Sequence, residues 1–206
     1  MNTPKHPIRS ILLFTLLCAA LIGGAWRFLG GAQTSATLAL ADLALQPGDL
    51  SDTGQLLGSA ATNADDPSHP LNRQQTIVTD PQDLATLLAY EEAYKTEAVD
   101  VDTATQTVRA VVGAYLYRYA DDAQTNAAQQ ILLDRLVQVD QATVLEGTAQ
   151  TGQKLQLNSG QGTVVNLFVD ARDRVLTLLV LEGLPTAETQ QLFDQTVSRL
   201  QSRRVR

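Results

Sequence analysis

Few side chains in this chain are equipped for chemistry. Asp100 and Asp102, in "VDVDTAT", stand two apart. On a strand that spacing puts both carboxylates on one face, where they could hold a divalent metal or serve phosphoryl transfer. The phosphoryl-transfer pattern wants Thr or Val two residues after the second Asp, and Ala104 stands there. A calcium loop would want Gly at Thr105. The pair therefore reads as an exposed strand end.

The two histidines, His6 and His69, are far apart, and His69 sits in a Pro-bearing polar loop. The only cysteine, Cys18, lies in an apolar run near the N-terminus. With neither a His pair nor Cys in the body, a zinc or thiolate site is not expected. No G-x-S-x-G accompanies His69, so a Ser-His-Asp arrangement is not expected either. Gly160-Gln161-Gly162 precedes an apolar strand pattern, whereas phosphate loops precede a helix, so it reads as a turn. The expectation is a non-enzyme without a cofactor or metal.

The feature that suggests binding is a tyrosine row. Tyr115, Tyr117 and Tyr119 alternate along "QTVRAVVGAYLYRYA", the strongest strand signal in the chain. Val108, Ala110, Val112, Ala114 and Leu116 take the opposite face. A row of rings, each with apolar area and a polar tip, suits a protein or small-molecule ligand. It also suits a half-buried sheet face. If helices cover only the other face, the rings are exposed.

The elements around this strand can be traced. Asp80-Pro81 starts a helix with Leu84, Leu87 and Leu88 at helical spacing. "AYKTEAVDVD" reads as a strand before the tyrosine strand. Asp121 or Asp122 caps a helix carrying Ala128, Leu132 and Leu136. "QATVLEGTAQ" reads as a further strand and "LNSGQGT" as a turn. Two apolar strands then flank a charged tight turn near Arg172 and Asp173. The last helix opens at Leu184-Pro185-Thr186 and carries Phe193, Val197 and Leu200 on one stripe.

The order strand, strand, helix thus occurs over 94–137 and again over 164–203, as a repeat of architecture with slight residue identity. It predicts an α+β fold: an antiparallel sheet with helices packed on one face and two strand-strand-helix units. The domain is placed at 76–206, with a start as early as 54 allowed by a short strand in "QLLGS". Residues 33–75 read as a linker and arm, with a short helix or extended arm in "TLALADLALQ". Residues 1–32 read as a cytoplasmic tip and a signal or anchor helix.

That last segment decides location. Ile11 to Trp26 contains no charged residue, and Lys5 and Arg9 precede it. Counting its flanks, residues 10–28 are just long enough to span, with the N-terminus cytoplasmic and the body outside. Small residues at Gly23 and Ala25, or at Gly30 and Ala32, permit cleavage before Trp26 or Gln33, which makes secretion the alternative. A lipobox would want small residues before Cys18, where Leu16 and Leu17 stand.

Of the 15 Lys and Arg, three precede Gln33; the remaining 12 face 22 Asp and Glu, a net charge of −10 for the body. That balance opposes nucleic-acid binding. "RRVR" at the C-terminus suits a helix end.

The plan of an apolar N-terminal segment and a small α+β domain resembles uncharacterised extracytoplasmic domains of bacterial surface proteins. The element order over 54–203 is similar to that of the PsbP/Mog1-like group. The resemblance rests on order alone and implies a non-enzymatic accessory or binding domain, with no functional residue carried over. The expected function is a membrane-tethered extracytoplasmic binding or accessory domain. The alternatives are a structural subunit of an envelope assembly, or an exported hydrolase using Asp100 and Asp102.

Overall fold

The computed structural model describes residues 39–46, 48–51, 54–67, 69–72, 78, 80–148, 150–159 and 162–203. The expected span at 10–28 lies outside them. Among the described residues no helix is long and apolar enough to cross a membrane.

Seven strands form one antiparallel sheet. They are β1 (Gly54–Thr62), β2 (Glu92–Asp102), β3 (Thr107–Arg118), β4 (Thr143–Thr148), β5 (Gly152–Asn158), β6 (Val164–Arg172) and β7 (Val175–Gly183). Their order across the sheet is β1-β2-β3-β7-β6-β5-β4. The helices are α1 (Leu40–Leu43), α2 (Pro81–Leu87), α3 (Asp122–Gln138) and α4 (Ala187–Arg203).

The local signals act as their chemistry requires. Asp80 accepts hydrogen bonds from the backbone N–H groups of Gln82 (2.7 Å) and Asp83 (3.3 Å), capping α2. Asp121 caps α3 through Gln124 N (2.8 Å), and Thr186 Oγ1 caps α4 through Thr189 N (3.2 Å). The β6–β7 hairpin turns on Asp173 and Arg174, both at positive φ, as a two-residue turn matched to strand twist demands. A hydrogen bond from Arg174 N to Asp122 Oδ1 (2.8 Å) holds the second of them. Strand β5 had no counterpart in the sequence reading. It returns from β4 through Gly147, where φ is +96° and an added Cβ would lie 2.0 Å from Gly152 O.

The fold is α+β with the two expected strand-strand-helix units, β2-β3-α3 and β6-β7-α4. Their packing differs from the expected one-sided arrangement, because one long helix lies on each face. Ala128, Leu132, Leu133 and Leu136 of α3 join the tyrosine face of β3 with Leu155, Val165, Leu167, Val169, Leu176 and Leu178. Leu192, Phe193, Val197 and Leu200 of α4 join the opposite face, with Ala98, Ala110, Val112, Ala114, Phe168, Leu179 and Leu181. The physical reason is legible in β6, whose residues Val164–Asp170 are all buried. A strand covered on both sides reads as a continuous apolar run, not as an alternation.

The two units have opposite hands. β3 and β7 are antiparallel neighbours. A rotation about the sheet normal that exchanges them would leave both helices on one face. The repeat is therefore one of element order.

The segment expected to be a linker is built into this body. Leu45 and Leu50 enter the α4-side core, and Leu40, Leu43 and Ala44 pack with Leu116 and Val175. β1 is a full edge strand of the sheet. Described residues from Leu40 onward therefore pack with the sheet and its helices.

Candidate functional site

The site begins with β3. Its alternation sends Tyr115 and Tyr117 to the α3 side, and Tyr119 follows at the strand's end. Read as a half-buried face, or as an open one if helices cover only the other side, the row is closed: all three rings are fully buried. Three covers account for this: α3, the end of α2, and the loop after β1. Leu71 of that loop and Leu87 of α2 sit in the same apolar cluster as the rings. Tyr119 donates to Leu87 O at 2.8 Å. Gly113, two residues before Tyr115, leaves room for that ring, since an added Cβ would lie 2.9 Å from its Oη.

His69, read from sequence as a residue of a Pro-bearing polar loop, belongs to this cover. It is completely buried. Its ring stacks on Tyr90 (centroids 5.7 Å, 21°) and meets Tyr117 edge-on (5.1 Å, 68°). Tyr90 in turn lies 5.4 Å from Tyr117 and 6.4 Å from Tyr119. His69 Nδ1 accepts the Leu71 N–H at 3.1 Å, which places the neutral ring's proton on Nε2. Among the described residues, Nε2 and the hydroxyls of Tyr115 and Tyr117 have no hydrogen-bond partner. The loop is tied down through Asp66, which takes Lys95 Nζ at 3.1 Å and Thr62 Oγ1 at 2.9 Å. Asn72 Nδ2 donates to Asp66 O at 3.0 Å.

Electrostatics follow from burial. Desolvation raises all three tyrosine hydroxyls above their usual pKa, so they stay neutral donors. It pushes His69 down to about 4, against the opposing pull of Asp66, with Lys95 adding a smaller push the same way. The cluster is uncharged at neutral pH and has the polarity of a hydrogen-bonding aromatic cradle.

The hydroxyls give a graded expectation. Tyr119→Phe should lose about 1–2 kcal/mol, because a buried carbonyl loses its donor. Tyr117→Phe should be neutral or gain up to about 1 kcal/mol, because it removes a buried hydroxyl with no partner. Urea unfolding of the two variants side by side checks the contrast; equal losses would contradict it.

Asp100 and Asp102 do not form a pair. A bulge between Asp100 and Val101 breaks their common register. Asp100, 3% exposed, takes Arg109 Nε and Nη2 on Oδ2, each at 2.9 Å, and the Ser51 hydroxyl on Oδ1. Asp102 accepts the N–H groups of Ala104 (2.9 Å) and Thr105 (3.1 Å), closing the β2–β3 turn. These N–H groups hold its carboxyl below the usual range. Both carboxylates are engaged in structure. Gly162 lies in the connection before β6, at positive φ, while Gly160 and Gln161 lie outside the described residues.

Sequence reasoning missed two arginines. Arg199 Nη1 donates to Gly48 O and Leu50 O. Arg203 donates to Ala44 O and pairs with Asp49. Together they bind α4 to the arm at residues 44–50. The signal available was the spacing of two cations one turn apart, which predicts a shared helix side but no partner.

No protein-family model and no curated protein matches this chain. Among solved structures, it is similar to the extracellular domain of PknH from Mycobacterium tuberculosis, with a TM-score of 0.52 and 12% identity. The match covers 84% of this chain and 100% of that one. At such identity the likeness is one of fold. The PsbP/Mog1-like order gains no support from it.

Proposed function

We propose that this chain is a non-catalytic extracytoplasmic binding or accessory domain, tethered to the membrane through residues 10–28. The observation that carries the reading is the likeness to the PknH extracellular domain over the whole of that domain. The uncharged run from Ile11 to Trp26 behind Lys5 and Arg9 supports the same placement. So does the engagement of Asp100, Asp102 and His69 in structure, which leaves the expected chemical groups occupied. Contact with a partner through Tyr115, Tyr117 and Tyr119 requires the cover over them to move.

Location is tested with one cysteine. Cys18 is the only native thiol, and Gln195 is exposed on α4. A Cys18→Ser, Gln195→Cys chain expressed in intact cells should react with a membrane-impermeant maleimide and sediment with membranes. Labelling only after lysis would overturn the extracytoplasmic placement. Labelled protein in the medium alone would overturn the tether.

A further inference from the structure

We propose that the loop carrying His69, residues 63–67 and 69–72, is an acid-released cover over the tyrosine row, and that protonation of His69 opens it.

Nδ1 of His69 is committed as an acceptor to the Leu71 N–H. A second ring proton can enter only at Nδ1, where it would face that N–H. The imidazolium would also be buried against the rings of Tyr90 and Tyr117, one stacked and one edge-on. Among the described residues, four groups face the ring. Its own loop contributes Asp66, which favours the cation. Strand β2 contributes Lys95, which opposes it. The turn before β2 contributes Tyr90, and β3 contributes Tyr117, both neutral. Asp66 is already neutralised by Lys95 at 3.1 Å, so desolvation prevails. The loop itself is a separable piece, held by short-range hydrogen bonds: His69 N to Asp66 O (2.9 Å) and Asn72 N to His69 O (2.9 Å). Its ties to the sheet include those of Asp66 to Lys95 and Thr62.

The direction follows from linkage. In the closed form the His69 pKa is lowered to about 4 from 6.5. An open loop returns the ring to its ordinary value and binds more protons below pH 6.5. The closed form therefore keeps its full advantage above about pH 6.5 and loses it progressively down to about pH 4. The open-to-closed ratio should rise about 30-fold between pH 8 and pH 5. Opening removes His69 from the rings of Tyr90 and Tyr117 and Leu71 from their cluster, exposing the part of the aromatic row that α3 and α2 do not cover. The opening stands apart from the binding reading: failure of the cysteine-labelling test leaves it untouched, and failure here leaves location untouched.

Hydrogen exchange of the full chain, corrected for intrinsic pH dependence, reads the device. Amides of His69, Leu71 and Asn72 should lose about 30-fold of their protection between pH 8 and pH 5. Amides of β3, β6 and β7 should keep theirs. His69→Gln, which retains an acceptor for Leu71 but no titration, should abolish the pH dependence. Should that variant not fold, the wild-type ring resonances decide; His6 is the only other histidine. A His69 midpoint well below 6.5 that coincides with loss of loop protection supports the cover. Loop protection indifferent to pH, loss in step with the sheet, or a His69→Gln chain that still responds would overturn it.

Discussion

Replacing Phe193 with alanine should cost about 3–5 kcal/mol of folding stability, the range for truncating a buried aromatic. Phe193 is fully buried at the centre of the α4 stripe, between Leu192, Val197 and Leu200 and the sheet residues Phe168, Leu179 and Leu181. It is the only aromatic side chain of α4, so no neighbour on the helix can fill the space it leaves. The companion substitution is Leu132→Ala in α3, on the other face, with an expected loss of about 2–5 kcal/mol. The two sites are separated by the sheet, so their losses should add in the double variant. Urea midpoints with unchanged slope would show this. A small effect of either variant would mean that its helix does not close a core, and that the sheet is covered on one side only.

Arg203→Ala should cost about 2–4 kcal/mol, somewhat below the range for breaking a fully buried ion pair. Asp49 is 5% exposed and stays behind as a carboxylate without its cation. Among the described residues its second oxygen accepts the Gln46 N–H alone, at 2.6 Å. Ala44 O loses a donor as well. The consequence reaches beyond one pair, because Leu45 and Leu50 on the same arm belong to the α4-side core. Adding Asp49→Asn to Arg203→Ala should recover part of the loss, since the stranded charge is gone. Arg203→Lys should not rescue fully: an ammonium cannot serve a carbonyl and a carboxylate with two fixed donors. A thermal or urea series on the four proteins measures it. Wild-type stability in Arg203→Ala would mean that the arm is held by its leucines alone.

Both expectations concern contacts that a sequence displays poorly. Phe193, Val197 and Leu200 announced an apolar stripe, and it is buried. Nothing in its period says which face of the sheet receives it. The β3 alternation was equally legible and equally incomplete. It separated the tyrosines from the valines and alanines, yet Ala110, Val112, Ala114 and Leu116 are buried as well as the tyrosines, with Val108 exposed at the strand's start, because α3 and the His69 loop close one side and α4 and the arm close the other. The continuous apolar runs of β6 and β7 carried the missing information. Read as strands sandwiched on both faces, they require a cover on each. β5 escaped notice because "GQKLQLN" alternates weakly, with only Gly152 and Leu155 buried.

His69 and Asp100 illustrate a different limit. Residue type offered each a chemical role, and local pattern argued for a bland one. Asp102 did cap a turn, as an Asp at a strand end commonly does. His69, by contrast, became the centre of the cover over the tyrosines. That depends on Tyr90 and Tyr117, 21 and 48 residues away in the chain, and no short-range pattern reports such a meeting.

What the sequence by itself determined is local and chemical. A cap at Asp80, a cap at Asp121 or Asp122, a tight turn near Arg172 and Asp173, and the strand alternation of β3 follow from backbone and side-chain preferences within a few residues. So do the α+β class and an apolar N-terminal run suited to a membrane. What only the tertiary structure decided is the pairing of distant parts. It set α3 and α4 on opposite faces, bound the arm to α4 through Arg199 and Arg203, and laid His69 over the tyrosine row. These choices rest on burial and charge pairing between segments far apart in the chain. Their energies appear only when the sheet exists to bring the segments together.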